Sequence, residues 1–103
     1  MVTVALQGDH GKPRPALVIQ SDLFRDTATV VVLLVTSTLV DTPLGRIDVA
    51  PSAENGLRAP SQVMVDKPMA VPVRKLGEVF GQLDDQTLLG VNRALALFLG
   101  LAN

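Results

Sequence analysis

The run Thr29–Thr36, "TVVVLLVT", decides the fold. It is β-branched at its ends and continuously apolar between them, so it reads as a strand with both faces covered. Toward the N-terminus, residues 15–20, "PALVIQ", form a second strand, with Pro15 tolerated at its first position. Residues 2–7 form another, with Val2, Val4 and Leu6 on one face. A turn-rich loop over residues 8–13 joins these two. On the other side, residues 39–49 read as a hairpin around "TPLG", with Arg46–Val49 as the returning strand. Residues 50–60 are a loop rich in Pro, Gly, Asn and Ser. Residues 61–66, "SQVMVD", alternate: Gln62, Met64 and Asp66 face one way, Val63 and Val65 the other.

Pro68 and Pro72 keep residues 68–73 extended. The stretch "RKLGEVFGQL", broken by Gly77 and Gly81, is compatible with more than one structure. The C-terminal segment is a helix. Asp84 or Asp85 caps it and suits its positive end. Leu88, Val91, Leu95, Phe98 and Leu99 make one apolar stripe. Leu89, Leu97 and Leu101 lie on another side and need a second surface, which points to a dimer. Five or so short strands followed by one helix predict a mainly β protein. Its form is a small antiparallel barrel or a strongly curved sheet, plugged by the C-terminal helix.

The chain has 103 residues, of which 48% are apolar and 3% aromatic, with no Cys, Trp or Tyr and a net charge of −1. That length predicts one domain over residues 1–103, and the apolar content is enough for a core. The charge provides no global field for a polyanion, so any nucleic-acid contact rests on a local cluster. The scarcity of aromatics weighs against a site built from stacked rings. Without Cys there is no disulfide, thiolate metal site or thiol catalysis; with one His besides, a transition-metal site is disfavoured. No signal peptide is visible, and no apolar run reaches the about 18 residues that span a bilayer. A soluble, cytoplasmic protein that leaves membranes alone is the expectation.

One further stretch stands out: "GKPRPALVIQSD", in which Arg14 is clamped between Pro13 and Pro15, followed by a buried strand ending "LVTST". Together with "ENGLRAPSQVMVDKP" and "GQLDDQTLLGVNRALALFLGL", it resembles the MazF/PemK-type toxins of bacterial toxin–antitoxin pairs. The resemblance covers nearly the whole chain. It implies an SH3-like barrel that pairs as a homodimer. It implies a sequence-specific endoribonuclease that cuts single-stranded RNA without metal or other cofactor, and a cognate antitoxin whose tail occupies the RNA groove. Two features depart from the family pattern. The chain starts almost at its first strand, without the usual Arg-Gly-Asp-like lead. Met64 stands where some branches carry an Arg ahead of the strand's Asp, here Asp66. Arg14 and Thr36 therefore carry more of the expected chemistry.

Metal-free RNA cleavage needs a base for the ribose 2′-OH, a stabiliser for charge on phosphorus, and an acid for the leaving 5′-oxygen. Arg14 suits the second task, because its planar fork bonds two phosphate oxygens and its prolines stiffen the chain. Its plain alternative is a surface Arg at a strand start. The hydroxyls of Thr36 and Ser37 can hold a phosphate or position the 2′-OH, or merely satisfy nearby backbone. His10 titrates near neutrality and is a candidate base or acid, or a solvated loop residue. Asp66 can orient a base, or cap the turn before Pro68. Lys12, Arg58 and Lys67 can line an RNA groove, or be ordinary surface charges. Two rivals share this fold: a toxin that poisons DNA gyrase, and a silent relative that binds RNA or antitoxin only. The gyrase-poison relatives typically carry a Trp at the end of the helix, and this chain ends "FLGLAN".

Overall fold

A computed structural model describes residues 1–5, 13–19, 28–41 and 44–101. Seven strands precede one helix: β1 (Val2–Ala5), β2 (Pro13–Val18), β3 (Thr29–Thr36), β4 (Arg46–Val49), β5 (Ser61–Met64), β6 (Met69–Pro72), β7 (Leu76–Val79) and α1 (Asp85–Phe98). The strands form one antiparallel sheet in the order β4-β5-β3-β2-β1-β7, with β6 also on β3. β3 is its centre. One edge pairs with β2, from Ala16↔Leu34 to Val18↔Val32. Its other edge pairs first with β6 and then, past the turn after Met64, with β5.

β3 is covered on both faces, as its composition requires. Val32 and Leu33 are neighbours in sequence, point to opposite faces, and are both fully buried. Val30 and Val32 join Val2, Val4, Ala16 and Val71 in one core. Leu33 and Val35 join Leu17, Val63, Val65, Leu83 and Val91 in the other, which α1 covers through Val91, Leu88 and Leu95. β2 divides itself in the same way, Ala16 to the first core and Leu17 to the second. One sheet thus makes two cores by bending sharply. Of the two expected forms, the strongly curved sheet covered by the C-terminal helix is the one observed: among the described residues β4 and β7 end the pairing path and do not pair with each other, so the sheet is not closed.

Two local expectations also change, and one open stretch takes a definite form. Among the described residues of 39–49 there is no hairpin pairing, Thr42 and Pro43 lying outside them; β4 pairs with β5 in the register Ile47↔Val63, and Leu39–Asp41 lie outside any strand. The reason is a side chain. The Gln62 amide bonds the N–H and C=O of Val40 and so takes the place of a strand ladder. The stretch "RKLGEVFGQL" resolves into a 3₁₀ turn and β7, which pairs with β1. Gly77 permits that pairing, since a Cβ there would run into Thr3 Oγ1. Finally, the predicted helix stripe is buried only at Val91 and partly at Leu88 and Leu95. Phe98 and Leu99 are exposed, as are Leu89, Leu97 and Leu101.

Candidate active site

The two prolines of β2 shape the site. Proline cannot donate to a strand ladder. The first half of β2 is paired with β1, through Pro13↔Ala5 to Ala16↔Val2. Its pairing with β3 starts only at Ala16. Continued by two residues, that register brings Arg14 level with Thr36. The strands instead part here, and a cavity of about 640 Å³ opens between them. Pro13, Arg14 and Pro15 line one side, and Val35, Thr36 and Ser37 the other. Thr3 comes from the neighbouring β1, Gly56 to Ala59 from the loop before β5, Ser61 from the start of β5, and Phe80 from just past β7.

Arg14, Ser37 and Arg58 are exposed, and Thr36 is half-buried. The Thr36 Oγ1 accepts a hydrogen bond from the Thr38 N–H at 3.0 Å. That fixes the rotamer and leaves the hydroxyl proton to donate toward the cavity. The loop bearing Arg58 is held by a buried Asn55. Its Oδ1 accepts from the N–H groups of Ser52 and Leu57 at 3.0 and 2.9 Å, and its Nδ2 donates to the Ala50 carbonyl at 2.9 Å. Gly56 follows with φ of +71°, a conformation that favours glycine. The opposite wall is held by Gln62, whose Nε2 donates to the Val40 carbonyl and to Asp48 Oδ1, both at 2.9 Å. Its Oε1 accepts from the Val40 N–H at 3.1 Å and from Arg46 at 3.4 Å.

Four of the sequence candidates therefore meet in one cavity: Arg14, Thr36, Ser37 and Arg58. Asp66 and Lys67 do not line it. They sit in the turn after β5, at the end of that strand away from Ser61, where the Lys67 N–H donates to the Met64 carbonyl at 3.3 Å. Asp66 Oδ1 is buried and has no hydrogen-bond partner among the described residues. His10 and Lys12 lie outside the described residues. Sequence reasoning missed Thr3, Leu57 and Phe80 in the lining. For the last two, the signal was an apolar residue beside a glycine outside a regular strand: Gly56 before Leu57, and Gly81 after Phe80.

Fold and cavity define a small β protein whose cavity is lined by two arginines and by strand-end hydroxyls, groups of the kind that can bind phosphate. The chain belongs to the PemK-like, MazF-like toxins of type II toxin–antitoxin systems, which residues 1–99 match. It is 42% identical over 101 residues to a protein of Mycolicibacterium smegmatis described as a probable endoribonuclease MazF, covering 97% of this chain and 93% of that one. Among solved structures it resembles the Mycobacterium tuberculosis toxin MazF-mt6, with a TM-score of 0.81, 26% identity, and coverage of 99% and 98% of the two chains. It also resembles a mycobacterial endoribonuclease solved in complex with its cognate antitoxin, with a TM-score of 0.78, 27% identity and coverage of 99% and 93%. The gyrase-poison alternative finds no support among these relatives.

Proposed function

We propose that this chain, acting as one domain over residues 1–103, is a MazF-like endoribonuclease toxin whose RNA-cleaving site is the cavity between β2 and β3. The observation that carries the reading is the placement of Arg14 and Thr36 on facing walls of that one cavity. The substrate is single-stranded RNA, cut at short sequences. The ribose 2′-OH attacks the adjacent phosphorus, and the P–O5′ bond breaks. The products are a 2′,3′-cyclic phosphate and a free 5′-hydroxyl. Arg14 holds the non-bridging oxygens as charge builds on them, and Arg58 adds positive potential at the mouth. Thr36 orients the 2′-OH or a phosphate oxygen. His10 takes or gives the proton, with Asp66 set aside from the cavity as a residue of the β5 turn. No metal or cofactor enters the scheme.

An antitoxin partner counters this activity by occupying the same groove. The exposed Leu89 and Leu97 of α1, with Leu101 just past its end, support a homodimer, which would cover them. Among the described residues no helix is long and apolar enough to cross a membrane. A cytoplasmic location follows from an mRNA substrate.

Single-stranded RNA incubated with the protein in EDTA tests the reading. Cleavage with cyclic phosphate ends is the expected result. Intact RNA, or cutting that requires a divalent cation, overturns it. Arg14→Ala removes an exposed side chain from a paired strand. The variant should still unfold in one cooperative transition, while kcat/KM falls roughly a hundredfold or more.

A further inference from the structure

The cavity has an apolar end that phosphate chemistry leaves unused. Leu57 and Phe80 line it together with Arg14, Thr36 and Arg58. Phe80 follows Val79, which pairs with Val2 on β1, and β1 separates β7 from β2. The ring is thus about two strand spacings, roughly 10 Å, from the arginine strand. Phe80 is 37% exposed and belongs to neither core. Its backbone is nonetheless fixed, because its N–H donates to the Met1 carbonyl at 3.0 Å and the Gln82 N–H donates to the Glu54 carbonyl at 2.9 Å. Its ring is also seated. A Cβ at Gly56 would stand 2.9 Å from both Phe80 Cδ2 and the Phe80 carbonyl, so the ring lies over the bare glycine backbone. An exposed aromatic held in one place, in the same cavity as two arginines, is a built feature.

We infer that Phe80 is a stacking platform for one nucleobase flanking the scissile phosphate, with Leu57 beside it, and that it helps set which RNA sites are cut. This rests on the nuclease reading above and names a subsite within it. Single-stranded RNA presents unstacked bases, and every base has a π-face to lay on a ring. A row of such rings is excluded in a chain with three Phe and no Trp or Tyr; a single platform needs only one. The cations at the same cavity favour RNA over an apolar peptide segment as the occupant of this wall. Because the ring is already ordered, little freedom is lost when a base stacks on it.

The test uses an RNA oligonucleotide spanning a mapped cleavage site, and a set of the same RNA with a single abasic position on either side of the cut. In the parent protein, one abasic position should raise KM about tenfold, the scale of one lost base–aromatic contact. In Phe80→Ala, KM on the intact RNA should rise by a similar factor with kcat within about twofold, and that abasic position should then cost almost nothing. Phe80→Trp gives the chain its only Trp. Its emission should be quenched by the RNA carrying a 2′-deoxy sugar at the cut, which binds and is not cleaved. The inference is overturned if no abasic penalty disappears in Phe80→Ala, or if the F80W emission ignores the uncleavable RNA. It is equally overturned if Phe80→Ala cuts RNA normally and instead escapes neutralisation by an antitoxin peptide. A parent protein that cuts no RNA sinks the nuclease reading alone; the F80W emission, read against an unstructured single-stranded RNA of mixed sequence, then scores the platform without any cleavage, and an emission that ignores that RNA overturns the platform as well.

Discussion

Two irregular segments flank the cavity, and a buried amide holds each of them. Asn55 organises residues 50–60, which carry Leu57 and Arg58; Gln62 holds residues 38–41, which follow Thr36 and Ser37. The two side chains are equally buried, at 5% and 6% exposure, so burial does not distinguish them. Reach does. Asn55 bonds only to groups two to five residues away. Gln62 bonds Asp48 and Arg46 on β4, 14 and 16 residues distant, and Val40, 22 residues distant. Asn55 shapes one loop from within. Gln62 joins a loop and two strands, with its two donors and its carbonyl oxygen all engaged. A local amide stabilises a conformation that its own segment already favours, while a long-range one makes separate segments depend on each other.

The largest effect should therefore come from Gln62→Leu. The substitution keeps the side chain's bulk but strands the Val40 N–H and C=O beside an apolar group. The expected loss is roughly 3 kcal/mol of unfolding free energy, read as a lower urea midpoint with an unchanged slope. Thr36 pairs with Gln62 directly across β3 and β5, so kcat should also fall about tenfold as the wall bearing Thr36 loosens. A smaller effect is expected for Asn55→Ala, about 1–2 kcal/mol, since fewer segments are released. Its signature should be local: faster amide hydrogen exchange within residues 52–58, and a raised KM with kcat preserved. If Asn55→Ala costs as much as Gln62→Leu and unfolds the protein as widely, reach is not what separates the two.

The same contrast explains what could be read from the sequence. Thr29–Thr36 was legible to the residue, because a β-branched apolar run has few other ways to bury itself; the bounds of Arg46–Val49 were legible too, though its partner strand was not. Arg14 between two prolines was legible as a stiff, displayed cation, because proline acts on its immediate neighbours. The loop role of "ENG" was visible for the same reason, its turn chemistry being local. Gln62 was not. Alternation placed it on the face away from Val63 and Val65, yet β4 and the Val40 segment cover that face and bury it. Nothing within a few residues of Gln62 announces a partner 22 positions away. The pairing of β4 with β5 rather than with the segment at Leu39–Asp41 was missed for the same reason, since a strand partner and an amide clasp look alike from one side. Phe80 was hidden by its setting in "EVFGQL", where only the backbone approach at Gly56 reveals that the ring is seated.

Asp84 offers the mildest test of locality, because it makes the same kind of short-range bond without burial. It is the N-cap of α1, and its carboxylate accepts from the Thr87 hydroxyl and from the Thr87 N–H, the latter at 3.2 Å. The Thr87 hydroxyl first, and its backbone N–H second, hold the Asp84 pKa below its ordinary 3.8. A carboxylate whose folded pKa is depressed stabilises the fold fully above the unfolded value, and that contribution is lost as pH falls through the lower, folded one. Asp84→Ala should then lower the melting temperature slightly at neutral pH, by less than Asn55→Ala does. The gap between parent and variant should narrow below about pH 4 and close in stronger acid. Cleavage should be untouched, since Asp84 does not line the cavity. A gap that persists unchanged into strong acid would mean that the carboxylate's charge has no part in capping α1, and that the loss comes from the helix start itself.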